Sequence, residues 1–421
     1  MRILHVSQRY HPARGGAEVH LAALSSRLAA AGHHVTVVTT NLRSFEGFWE
    51  PGREIVPEAE AVVDGVRVLR FPVRHLPLAP RSYHAVRRLL WLASRLPVPA
   101  RAMARLARLT PWIPELWRWL GRTREPFDIV AGMALPYETL LWAALHFARR
   151  RQIPFVLYPL THLGAGPRPG ADALSQFYTL RHQVAVVRAS DRVIAQTTAE
   201  RDFYVSRGVS AARITVVGSG VDPEEVVGGC AERALVRHRL RRPLLFSLGT
   251  MSHDKGTVDL VETVRRLWDE GRSVSLALAG PLTTAFERYL AALPEVERRR
   301  LCLLGPIDDD EKRDLLAACD LFVMPSRVDS FGIVYLEAWL YGKAVIGANA
   351  WGVNSVIDDG EDGLLVPFGD RRALAEAITA LLDDPQRAAK MGMRGKQKVY
   401  RSHTWQQKYE QVAAIYQRLV A

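Results

Sequence analysis

The sequence predicts an α/β protein of two domains, and three observations carry that prediction. The chain has 421 residues, more than a single hydrophobic core usually serves. Short β-branched or apolar runs alternate with stretches of helical period along most of its length. At Ile3–Val6, Ala17–Ala30 and Val35–Thr39 the alternation spells a complete βαβ unit. A composition 48% hydrophobic and 24% charged is globular and excludes disorder. The cysteines, Cys230, Cys302 and Cys319, are scattered with no C-x-x-C, which argues against a disulfide framework and a zinc site and fits a reducing compartment. Met1-Arg2 leads directly into a strand, and no apolar run reaches the ~18 residues of a membrane span, so a cytoplasmic protein is expected.

The first turn of the βαβ unit, Tyr10 to Glu18, carries Gly15-Gly16 but no dinucleotide fingerprint, since G-x-G-x-x-G is missing. Further strands are expected at Val66–Phe71, Asp128–Ala131, Phe155–Tyr158, Arg192–Gln196 and Ile214–Val217. Thr161-His162 follow one of them, at the carboxyl end where open α/β sheets bind ligands, although a lone histidine there is commonly a structural donor. A second domain opens with the strand Leu244–Leu248 and the loop ending Lys255-Gly256, and continues through strands Val274–Ala279 and Leu301–Leu304. Asp308-Asp309-Asp310 imitates a metal-binding D-x-D, but it stands where carboxylates cap a helix and oppose its dipole, so no metal is expected.

The stretch Cys319–Tyr341 holds the densest signal. Leu321–Met324 reads as a buried parallel strand, ended by Pro325-Ser326, because proline has no amide to continue a ladder. After Asp329 and Ser330, the spacing of Ile333, Leu336 and Leu340 starts a helix near Phe331, and the amides of Phe331, Gly332 and Ile333 at its mouth suit an anion. Glu337, on the second turn, leans back towards that mouth. A carboxylate there would repel phosphate, and it is better matched to a pair of ribose hydroxyls.

Asp329, Phe331, Gly332 and Glu337, preceded by Pro325-Ser326, resemble the E-x7-E signature of retaining glycosyltransferases of the GT-B fold, family four among them. The resemblance extends to G-G-x-E at Gly15–Glu18, to Lys255-Gly256, to a post-strand histidine at His162 and to a "dGkdGlLv" hairpin at Asp358–Val366. It implies two facing Rossmann-like domains with parallel sheets and a cleft between them: 1–218, 219–398, and a final helix, 399–421, crossing back. It implies that Glu337 binds the ribose, that Asp329 and His162 meet the transferred sugar, and that Lys255 neutralises the donor diphosphate. Gly15 and Gly16 would approach the donor phosphates, and Ile307 would lie near the base. The implied reaction moves a hexose from a nucleotide-diphosphate sugar to an acceptor hydroxyl with retention and no cofactor, the leaving phosphate taking the acceptor's proton. The chain departs from the family at Thr250, where relatives have arginine, at Asp329, where they have glutamate, and at Trp351 and Ser355, where they have glycine and glutamate. A GT-B nucleotide-sugar epimerase and a non-catalytic sugar-nucleotide-binding homologue are the alternatives.

The segment 81–124 stands apart from that resemblance. Ten arginines against one carboxylate, Glu115, give it about nine of the chain's net twelve positive charges. Val86, Leu89, Leu90, Ala93 and Leu96 are expected on one helical face opposite Arg88 and Arg95, with Trp91, Trp112, Trp117 and Trp119 as interfacial aromatics. The pattern predicts peripheral contact with an anionic membrane surface and a glycan or lipid-linked acceptor. Nucleic acid is not expected, because no reading motif accompanies the arginines.

Overall fold

The computed structural model describes every residue except Arg14, a position in the glycine-bearing turn that lies outside the described residues. Two compact units emerge: unit 1 comprises Met1–Thr161, Ala173–Gly218 and Lys408–Ala421, and unit 2 comprises His162–Asp172 and Ser219–Gln407.

Unit 1 is built on an eight-stranded sheet of β1 (Arg2–Val6), β2 (His34–Thr40), β3 (Glu60–Val63), β4 (Val66–Phe71), β5 (Ile129–Met133), β6 (Phe155–Tyr158), β7 (Arg192–Ala195) and β8 (Ile214–Val216), in the order β3-β4-β2-β1-β5-β6-β7-β8. All neighbours pair in parallel except β3 with β4. That hairpin turns through Asp64 (φ 50°) and Gly65 (φ 75°), the two left-handed residues that a tight hairpin demands. Asp-Gly between valines signals it, yet the sequence reading marked only the second strand. The helix α1 (Gly16–Ala30) follows β1; α2 (Arg81–Arg95), α3 (Ala100–Ala107) and α4 (Pro114–Arg122) occupy the chain between β4 and β5; and α5 (Glu138–Arg151) follows β5. The chain works outwards from β1 on one side and from β5 on the other, so the topological switch point falls between them.

Unit 2 is a six-stranded parallel sheet of β9 (Leu244–Leu248), β10 (Ser275–Ala279), β11 (Leu301–Gly305), β12 (Leu321–Met324), β13 (Ala344–Ala348) and β14 (Gly363–Val366), ordered β11-β10-β9-β12-β13-β14. Every residue of β12 is buried, which is why its sequence is a continuous apolar run rather than an alternating one. Its switch point lies between β9 and β12.

Four local expectations are corrected. The helix after Ser330 begins at Ile333, because Gly332 takes φ +91° and cannot belong to a right-handed turn. Asp358–Val366 is not a hairpin: β14 adds in parallel to β13. The last helix, expected over 399–421, begins only at Trp405 and runs to Val420, because the preceding helix, Pro385–Ser402, takes up the first residues of that span. On α2, Leu90 is fully buried with Val86 and Ala93 packed near it in a small core with Met103, Ala107 and Leu180. Leu89 and Leu96, expected beside them, are instead 51% and 57% exposed.

Candidate active site

The loops leaving the two central strands of unit 2 meet at its switch point. After β9 the chain runs from Gly249 to Gly256 and enters the helix Thr257–Asp269; after β12 it runs from Pro325 to Gly332. Gly256 caps its helix with φ +74°, and a Cβ there would lie 2.2 Å from the Pro325 carbonyl oxygen. Glycine is thus required by both backbone conformation and contact, and it brings the preceding lysine against the second loop. The Lys255 Nζ donates to Asp329 Oδ1 at 2.8 Å, with both side chains mostly buried. A second pair crosses the same gap, the Arg327 guanidinium donating to Asp254 Oδ1 at 2.6 Å. Gly352 supports Asp329 from the next loop, where a Cβ would come within 2.2 Å of the Asp329 carbonyl oxygen.

Burial alone would raise the Asp329 carboxyl, but the Lys255 ammonium, hydrogen bonds from Lys255 and Ser326, and the nearby His162 outweigh it and hold the group below the ordinary aspartate range. His162 shifts the other way from its free value: burial, reinforced by Lys255 and opposed by Asp329, lowers it to about 4. At neutral pH the cluster is therefore a carboxylate, an ammonium and a neutral imidazole, and the imidazole can offer a hydrogen bond without adding charge.

His162 reaches this cluster because the segment His162–Asp172 belongs to unit 2, although it directly follows β6 of unit 1. Trp351 holds it there: its amide donates to the Gly164 carbonyl and its indole Nε1 to the Gly166 carbonyl, both at 2.9 Å. The tryptophan that replaces the family's glycine is thus a clamp on the histidine's loop.

Glu337 is nearly buried on the helix Ile333–Leu340, and its Oε1 accepts from Lys312 Nζ at 2.9 Å. Lys312 sits on the helix Asp309–Ala318, whose N-cap is Asp308, its side chain accepting from the Glu311 amide at 2.8 Å. Asp309 and Asp310 pair with Lys312 and Arg313. The aspartate run therefore caps and neutralises a helix, and among the described residues no cluster of three or more His, Cys, Asp or Glu side chains is arranged to hold a metal ion. Phe331 is buried in the core with its ring 5.6 Å from His403, and Ile333 and Ile307 are half-buried against the same core.

Gly15 and Gly16 belong to unit 1. A Cβ on Gly15 would come 2.4 Å from a carboxylate oxygen of Glu18, whereas one on Gly16 would meet nothing within 4 Å. Glu18 is buried and accepts from Arg9 Nε at 3.0 Å. Gly15 is thus explained within unit 1 by the close approach of that ion pair.

The family described as Glycosyl transferases group 1 matches residues 231–398, and that described as Glycosyl transferase 4-like domain matches residues 15–220. The alpha-maltose-1-phosphate synthase of Mycobacterium tuberculosis is 30% identical over 262 residues, 58% of this chain and 67% of that one. The chain belongs to the group 1 glycosyltransferases. The matched stretch spans 65% of the corresponding Mycolicibacterium smegmatis enzyme, whereas the M. tuberculosis glycogen synthase is 27% identical over 99% of this chain and 94% of its own. In fold, the chain matches Anabaena Alr3699/HepE, solved in complex with UDP, with a TM-score of 0.69 at 20% identity, covering 99% of this chain and 100% of that one. The fold is the GT-B type with two Rossmann-like domains.

Within this family member, the structure brings His162, Lys255 and Asp329 together and sets Glu337 beside Lys312. Sequence reasoning missed Lys312 and Arg327. The only signal for Lys312 was its place three residues after Asp309, an ordinary helix-surface spacing. Arg327 was marked by nothing but its position in the loop between Pro325 and Asp329. Lys255 was expected to face a diphosphate alone; its ammonium is shared with Asp329, whose carboxylate is buried and would otherwise lack a counter-charge.

Proposed function

We propose that the protein transfers a hexose from a nucleotide-diphosphate sugar to an acceptor hydroxyl with retention at the anomeric carbon. The observation that carries this reading is the Lys255–Asp329 pair, 2.8 Å apart beside a neutral His162 at the switch point of unit 2. An ammonium has three N–H donors, so Lys255 can serve Asp329 and a diphosphate oxygen together, with Asp329 and His162 turned to sugar hydroxyls. Oε1 of Glu337 is taken by Lys312, which leaves Oε2 for a ribose hydroxyl. With Asp329 held by a cation it is a poor nucleophile, which favours departure and attack on one face. The anomeric carbon–oxygen bond breaks with its electron pair going to the diphosphate, the acceptor oxygen bonds to the same face, and its proton passes to the leaving phosphate. No resident cofactor is assigned a step.

The acceptor we favour is a lipid-linked or envelope glycan met at an anionic membrane. On α2 the exposed side carries Leu89 and Leu92, with the exposed Arg81 and Arg88 on the same helix, and the exposed Leu96 follows directly after its last turn. Leucines at that spacing form one apolar stripe, and each arginine near an anionic leaflet contributes ~1 kcal/mol. Among the described residues no helix is long and apolar enough to cross a membrane. Cosedimentation should show binding to anionic liposomes at low salt, and loss at high salt and with neutral lipid; equal binding to both lipids rejects the surface.

The transfer itself is tested by incubating the protein with UDP- and ADP-sugars, with and without candidate acceptors, and reading the anomeric configuration of any product by NMR. Interconversion of the donor sugar without acceptor would point to an epimerase instead. Absence of both transfer and slow donor hydrolysis would point to a non-catalytic binder.

A further inference from the structure

The stretch 81–124 is not alone in being one-sidedly basic. Residues 385–409 hold seven lysines and arginines and no aspartate or glutamate. The two stretches together more than account for the net charge of +12, so the rest of the chain is net acidic. Six of the seven cations lie on the helix Pro385–Ser402 of unit 2.

Packing fixes which face of that helix looks outward. Its buried residues, Ala388, Met391, Gly392, Gly395 and Val399, recur at helical spacing and form one face. Two of these places admit no side chain: a Cβ on Gly392 would overlap the Gly342 carbonyl, and one on Gly395 the Trp339 indole. The helix is therefore seated by close backbone approach, and the opposite face is held to solvent. Along one edge of that face run Arg387, Lys390, Arg394 and Arg401, at intervals of three, four and seven and all exposed. Along the other stand Met393 and Tyr400, seven residues apart and 49% and 50% exposed. The carboxylates nearby are already engaged. Asp384 caps the helix, accepting from the Arg387 amide at 2.9 Å, and Asp383 pairs with Arg272 at 2.7 Å. Glu361 pairs with Arg394, and Asp358 and Asp362 pair with Lys398. Arg387, Lys390, Lys396 and Arg401 make no ion pair among the described residues.

We propose that the outer face of the helix Pro385–Ser402 is a docking surface of unit 2 and that its partner is an anionic lipid leaflet. A row of cations without counter-charges complements a layer of lipid phosphates, and each one near the surface adds to the attraction. The edge beside the row decides between lipid and nucleic acid. A thioether and a tyrosine ring suit the headgroup layer, where an aromatic ring can be half apolar and half wet. A nucleic acid would engage the cations and leave that edge unused, and no reading motif accompanies it. The surface adds to the membrane contact read on α2 but uses other residues on the other unit, so either contact can fail alone.

The test is cosedimentation of the full chain with vesicles of phosphatidylcholine alone and of phosphatidylcholine and phosphatidylglycerol in equal parts, at low and high salt. The triple variant Arg387→Gln, Lys390→Gln, Arg401→Gln should lose at least about tenfold in partitioning to the anionic vesicles at low salt while keeping its Tm. The matching variant Arg387→Lys, Arg401→Lys should bind as the wild type does, because the leaflet reads charge. Tyr400→Ser, which removes no charge, should weaken binding about twofold or more. If the triple variant fails to fold, Lys390→Gln and Arg401→Gln taken singly carry the same test, each with an expected loss of about twofold to fivefold. No binding of the wild type to anionic vesicles, or partitioning unchanged by the glutamine variants, overturns the proposal. Loss in Arg81→Gln, Arg88→Gln with none in the triple variant assigns the leaflet to α2 alone and overturns it as well. So does a triple variant that keeps the vesicles and loses a fluorescent RNA oligonucleotide, which would give the face to nucleic acid.

Discussion

The two units share one architecture and have equipped its switch points differently. In unit 2 the loops after β9 and β12 are stitched by crossed ion pairs, Lys255 with Asp329 and Arg327 with Asp254, backed by Glu337 with Lys312. In unit 1 the loop after β1 is held by a buried Arg9–Glu18 pair, and it reaches the loop after β5 only through rings, the Arg9 guanidinium lying over Phe45 and Phe45 stacking on Tyr137. The first arrangement is built of paired charges, and the second of stacked rings around one buried pair. The lesson is that parallel-sheet topology selects where a ligand goes, while loop side chains select which ligand.

The comparison can be broken or sharpened experimentally, and the largest effect expected is on stability in acid. Unit 1 buries His5 and His20, both pushed down to about 3 by burial, His20 further by Lys408, whereas in unit 2 His162 is lowered to about 4. A histidine whose folded value is depressed stabilises the fold fully above the unfolded value near 6.5, and that contribution is lost as pH falls, because the unfolded chain then binds more protons. Stability should fall from pH 7 towards pH 4, with amides of unit 1 losing hydrogen-exchange protection before those of unit 2. Simultaneous loss would show that the two units are not separable in this respect.

Next in size, Lys255→Ala leaves the mostly buried Asp329 carboxylate without its cation and removes the diphosphate contact, together about 3–5 kcal/mol. Transfer measured as kcat/KM should drop at least about a hundredfold, with the fold of unit 1 untouched. Glu337→Ala should weaken donor binding by about 1.5–3 kcal/mol, one hydrogen bond to a charged group, and leave the fold intact. Trp351→Ala removes the indole bond to Gly166 and part of the packing over His162–Asp172, so it should lower stability by about 1–2 kcal/mol and speed amide exchange in that segment. The smallest effect is a gain: Thr250→Arg should tighten ADP or UDP binding by about 1 kcal/mol. Weaker binding would mean that Thr250 does not stand where relatives have their arginine.

Much of this was legible without coordinates. The strand Leu321–Met324, the proline that ends it and the spacing of the apolar residues after Ser330 follow from local rules: ladder continuity, helical period and buried parallel strands. The cap at Asp308 was readable for the same reason, since an N-cap is a property of a few consecutive residues, whereas Lys255-Gly256 was marked by the resemblance. Membership of the family was legible because its motifs occur in order along the chain. The amphipathic face of α2 was misjudged: periodicity gives the stripe Val86, Leu89, Leu90, Ala93 and Leu96, but which edge of that stripe turns inward depends on Met103, Ala107 and Leu180.

What the sequence determined by itself, then, was the alternation of strand and helix, the two-domain α/β class and the residues near each strand's carboxyl end, all set by short-range preference and burial pattern. Tertiary structure alone decided the partnerships. Lys255 and Asp329 are 74 residues apart, Lys312 and Glu337 are 25, and Trp351 reaches back 185 residues to Gly166. No local rule links positions so distant, because an ion pair or a clamp forms only when packing has brought its members within hydrogen-bond reach, and the protonation state of His162 follows from that packing rather than from its neighbours in the chain.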